Sequence, residues 1–177
     1  MKKKPIYLWI LLVLSALISA SSLFGILGPV PSKEVLRASL SNSGSLTAQQ
    51  IEDTVNYTYQ VTASSHSIFN VVLIVLSAIL VVVAFVFLVR KNVQFANYAY
   101  LGYLLLAIVG LVYSFVNIQD AIQLIKDDTL GLGIGTLAKG TVILFMIINV
   151  LFLALVLYKM WRQQKDLAEE AEAEEVA

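Results

Sequence analysis

The sequence predicts an all-α integral membrane protein, a four-transmembrane-helix bundle with a small extracytoplasmic helical hairpin between its first and second spans. Three observations carry that prediction. Hydrophobic residues make up 59 % of the 177 residues and charged residues 14 %, with a mean hydropathy of +0.83, far from the balance of a soluble domain. The apolar residues gather into four runs of a length suited to a hydrocarbon layer, which takes about 20 helical residues to cross. The charges lie between or beyond the runs, and most of the basic residues fall on one side of the layer that the runs define.

The first run, Ile6 to Leu27, has 22 residues and no charge. The lysines before it and the small-residue string SALISASS also fit a secretory signal peptide, but the apolar stretch exceeds the usual ~7 to 15 residues. It is expected to be retained as a span. Residues 28–66 form the larger outer segment. In it PSKEVLRASL suits a short helix capped by Ser32, SNSG suits a turn, and LTAQQIEDTVNYTYQ suits an amphipathic helix. Thr47 and Gln50 stand at capping-box spacing, with Leu46 and Ile51 placed as a hydrophobic staple. Helical periodicity puts Ile51, Val55 and Tyr59 on the apolar face and Gln49, Glu52, Asp53, Asn56 and Gln60 on the polar one. This helix can run on into the second span, since neither Gly nor Pro intervenes.

Residues 68–89 form the second run, of whose 22 residues 18 are Leu, Ile, Val or Phe. Such a composition also suits a strand, but an unpaired strand in lipid leaves its amides without partners, so length decides for helix. At roughly −0.3 to −0.6 kcal/mol per residue, insertion is favoured by on the order of −5 to −11 kcal/mol. Residues 95–116 form the third span and 138–158 the fourth, with a second outer segment over 117–137. The glycine-rich GLGIGTLAKG lacks the Gly-Lys-Ser/Thr ending of a phosphate loop and is expected to be a flexible approach to the fourth span. Residues 1–160 are thus one membrane domain, and 161–177 are a tail that begins basic and ends acidic.

Orientation follows from the basic residues. Lys2, Lys3, Lys4, Arg90, Lys91, Lys159, Arg162 and Lys165 all fall on one side, which makes both termini cytoplasmic in a multi-pass protein of the plasma membrane. Trp9, Tyr98, Tyr100 and Trp161 are placed at the inner boundary, where amphipathic rings are favoured.

Candidate chemistry is sparse. The middle of each run contains no Asp, Glu, Lys, Arg or His, the residues on which proton relays and intramembrane enzymes depend. There is no cysteine, and the single histidine, His66, reads as a wet boundary residue. No catalytic residue, cofactor or metal is expected, and equal numbers of basic and acidic residues, 12 each, point away from nucleic acid. Helix packing is assigned to the small residues spaced four apart, Ser15 with Ser19 and Gly110 with Ser114, and to Asn149 as a hydrogen-bonding contact across a helix interface. The layout of four spans, a larger first outer segment and both ends inside resembles that of claudins and other tetraspan proteins. The paired outer cysteines of claudins are absent, so their junctional role is not implied; the lysine-rich start suits a bacterial membrane.

The function expected from these features is association. The chain would be a non-enzymatic accessory, scaffold or regulatory subunit whose partners are the lipid bilayer and another membrane protein or a second copy of itself. Ile51, Val55 and Tyr59 either pack within the chain or form a docking face. The alternative is a small homo-oligomeric transporter or channel component.

Overall fold

The computed structural model describes residues 5–42 and 46–175. Lys2 to Lys4, the centre of the expected SNSG turn and the side chains of Glu169 to Glu175 lie outside the described residues. Within them the chain forms six helices and no strand: α1 (Ile6–Leu27), α2 (Lys33–Ser41), α3 (Ala48–Ser65), α4 (Ile68–Val89), α5 (Val93–Ile122) and α6 (Asp128–Glu175). Four of these, α1, α4, α5 and α6, are long and apolar enough to cross a membrane.

Local chemistry sets the breaks. Ser32 caps α2 by accepting from the Val35 amide. Thr47 opens α3 with a full capping box: its hydroxyl accepts from the Gln50 amide at 3.3 Å, and its own amide donates to Gln50 Oε1 at 3.0 Å. Helix α3 does not run on into α4. Ser67 is extended there and caps α4 through the Asn70 amide, while Asn70 Nδ2 donates to the Ser65 carbonyl. Between α4 and α5 the chain reverses at Lys91, whose φ of 61° is left-handed, and the Asn92 amide reaches back to the Phe87 carbonyl.

The third and fourth spans extend beyond their expected limits. Helix α5 continues to Ile122 and α6 begins at Asp128, so the expected 117–137 segment is mostly helix. GLGIGTLAKG is helical and not a flexible loop. Its glycines serve a close approach: a Cβ on Gly135 would stand 3.0 Å from Ile122 Cδ1, and one on Gly131 3.6 Å from Ile125 Cγ2.

In the bundle α1 packs on α4, α4 on α5 and α5 on α6, while α3 lies against the extended end of α5. The core sits toward the end carrying the chain termini. Leu8, Leu11 and Leu12 of α1 meet Val81, Ala84 and Leu88 of α4, Ala96, Tyr100 and Leu104 of α5, and Val156 of α6. Polar groups enclosed there are mostly paired, with Tyr7 Oη donating to Asn97 Oδ1 at 2.9 Å and Ser15 Oγ 3.0 Å from Tyr100 Oη. Tyr100 is therefore not a boundary ring. It is fully buried, because the Ser15 hydroxyl supplies the partner its own requires inside the bundle. Trp9, Tyr98 and Trp161 remain exposed on the bundle surface.

Candidate functional site

Toward the other end of the bundle the four long helices part around a cleft of about 330 Å³. Ser19 and Ser22 project from α1, Asn70, Leu73 and Ser77 from α4, Tyr103, Gly110 and Ser114 from α5, and Phe145 and Asn149 from α6. Its walls are alkyl groups, hydroxyls and two carboxamides, and no Asp, Glu, Lys, Arg or His lines it.

The small-residue pairs of the sequence divide between the core and this cleft. Ser15 is 2 % exposed and bonded to Tyr100. Ser19, one turn on, is 8 % exposed and its hydroxyl has no partner among the described residues. Tyr103 is 4 % exposed and stacks on Tyr100 with ring centroids 5.5 Å apart, yet its hydroxyl is likewise without a hydrogen-bond partner. A Cβ on Gly110 would meet nothing within 4 Å, so Gly110 and Ser114 widen the cleft instead of drawing two helices together. Asn149 makes no bond across a helix interface. It faces the cleft and not a packed neighbour, and its Nδ2 donates to the Phe145 carbonyl of its own helix at 2.8 Å.

Above the cleft α2 and α3 form a cap. The α3 face named from periodicity turns inward: Val55 is fully buried, and Ile51 and Tyr59 are half-buried, with the Lys33 ammonium 5.2 Å from the Tyr59 ring centre. On the opposite face of α3 Asp53 is enclosed too, although periodicity marks it as solvent-facing. Its Oδ2 accepts from the amides of Lys126 at 2.9 Å and Asp127 at 3.1 Å, and its Oδ1 from Gln49 Nε2 at 2.7 Å. Burial raises the Asp53 carboxyl, but the two amides and the Gln49 carboxamide outweigh it and hold the group below its ordinary value. Asp127 is held low by the Leu130 amide that it caps and by Gln50 Nε2. The α5–α6 turn is thereby clamped to α3. His66 ties the cap to α1, with Nε2 2.9 Å from the Gly28 carbonyl and Nδ1 2.9 Å from that of Thr62.

The sequence offers no sign of this clamp, since Asp53 and the amides it binds are over 70 positions apart. Among the described residues no group of three His, Cys, Asp or Glu stands together as metal ligands do.

Four apolar helices around an uncharged cleft, with a polar cap at one end, make this a helical membrane protein of the multi-span class. The chain belongs to the family described as a domain of unknown function (DUF8777), which matches residues 1–169 and so takes in every span and the cap. No curated protein and no solved structure matches it.

Proposed function

We propose that the protein acts by association, as a non-enzymatic accessory, scaffold or regulatory subunit of a plasma-membrane complex, with both termini cytoplasmic and the α2–α3 cap on the outer face. The observation that carries this reading is α2. None of its residues is fully buried, and only Leu36 and Leu40 are partly so. It is nevertheless fixed in place by Lys33 Nζ donating to Asn56 Oδ1 at 2.7 Å and by the Arg37–Glu52 ion pair at 2.6 Å. Its far side presents Val35, 61 % exposed. A helix held in one orientation with an apolar side chain turned away from its own fold suits docking, because little freedom remains to be lost on binding.

Val35→Asp is expected to abolish co-purification of a membrane partner while leaving insertion and melting unchanged; undiminished recovery of that partner counts against the reading. A homo-oligomeric transporter or channel component is the second reading, favoured by the hydroxyl-lined cleft. Cysteines placed along the full length of α5 and α6 separate the two, since a conduit admits a soluble thiol reagent through the whole membrane depth.

A further inference from the structure

We infer that the cleft is a binding site for an uncharged glycerolipid of the diacylglycerol type, held by its glycerol and ester oxygens while its acyl chains remain in the bilayer. The inference stands on the cleft alone and does not depend on what the cap binds.

The first ground is unspent hydrogen bonding. Ser19 and Tyr103 are each more than nine-tenths buried, and neither hydroxyl has a hydrogen-bond partner among the described residues. Both residues line the cleft and neither oxygen is fully enclosed; a ligand that excludes water from the cleft without bonding them would leave them unpaired, at a cost in free energy. Ser77 and Ser114 add further hydroxyls on the same walls, and Asn149 gives one amide hydrogen to the Phe145 carbonyl of its own helix and keeps its Oδ1 as an acceptor. Hydroxyls that donate or accept, together with the Oδ1 acceptors of Asn70 and Asn149, suit an uncharged ligand that carries both ester oxygens and a hydroxyl.

Charge is the second ground. No ionised side chain lines the cleft, so a phosphate or ammonium there would be desolvated without a counter-charge. This disfavours phospholipid headgroups and ionic substrates alike.

Size and reach are the third. A volume of about 330 Å³ is at the lower end for small-ligand sites. It is too short for a partner's transmembrane helix, because the Leu8, Leu12, Tyr100, Leu104 and Val156 core closes the bundle below it. The ligand is therefore a small polar group with a way out for chains. Helices α1 and α6 both wall the cleft, but each packs chiefly on the α4–α5 pair and not on the other, which leaves the side between them for acyl chains.

The test uses the purified full chain in lipid–detergent micelles with a dioleoylglycerol carrying a photoactivatable diazirine on one chain. Phosphatidylglycerol and phosphatidylcholine bearing the same diazirine chain run in parallel. Expected is preferential labelling by the diacylglycerol probe on the α1 and α6 segments beside Ser19 and Asn149, displaced by unlabelled dioleoylglycerol. Ser19→Val is expected to weaken the labelling about fivefold, as the loss of one neutral hydrogen bond predicts. Gly110→Leu, whose new side chain enters open space, is expected to block it with the melting temperature unchanged. Equal labelling by the three lipids, preference for a charged one, labelling confined to other faces, or variants that label like the wild type would each overturn the inference.

Discussion

Ser15 and Ser19 lie one turn apart on the same face of α1, and their surroundings divide the molecule into two halves. At Ser15 the helices are closed: the hydroxyl meets Tyr100, and Leu8, Leu12, Val81, Leu104 and Val156 fill the space around the pair. At Ser19 the matching tyrosine, Tyr103, is also buried, but no bond forms and the walls stand apart. One half carries the packing that holds α1, α4, α5 and α6 together. The closed half also holds one enclosed amide without a partner among the described residues, Asn97 Nδ2, whereas the unpaired hydroxyls of the other half line a cleft that a ligand can enter.

The contrast is broken most severely in the closed half. Leu12→Ala removes a fully buried side chain and is expected to cost about 2–5 kcal/mol, read as a lowered melting temperature in detergent. Hydroxyl deletion separates the two serines next. Ser15→Ala strands the Tyr100 hydroxyl and is expected to cost about 1–3 kcal/mol, whereas Ser19→Ala strands nothing and stays within about 0.5 kcal/mol. Equal losses at the two positions would erase the distinction.

The smallest expected effect is confined to the cap and depends on pH. Asp53 and Asp127 have folded-state values below their ordinary one of 3.8, so their contribution is complete above that value and is lost as pH falls through the lowered values. Hydrogen exchange of the first turns of α3 is expected to hold steady down to about pH 4 and to rise below it, with the closed half of the bundle unaffected. A rise that begins near neutrality would point away from these carboxylates.

What could be read from the sequence was what is local or collective. The limits of α1 and α4 follow from hydropathy summed over 22 residues each, and the start of α3 from two residues three apart, Thr47 and Gln50. The extension of α5 and α6 was not legible, because Gly131 and Gly135 read as flexible until Ile125 and Ile122 are seen packed against them. Nor was the cleft. Ser15 and Ser19 carry the same sequence signal, and whether a neighbour closes on a serine is decided jointly by four helices. Periodicity likewise assigned Asp53 to the wet face of α3, since nothing near it in sequence announces the α5–α6 turn that encloses it.

The division of the bundle is tested most directly by thiol reactivity, for which a chain without cysteine provides a clean background. Ser15→Cys and Ser19→Cys, each the sole thiol of the purified protein, are treated with a small methanethiosulfonate reagent and the modification is followed by intact mass. The thiol at position 19 is expected to react readily while that at position 15 stays protected until the protein is denatured; equal rates at the two positions in the folded protein would contradict a bundle closed at one end and open at the other.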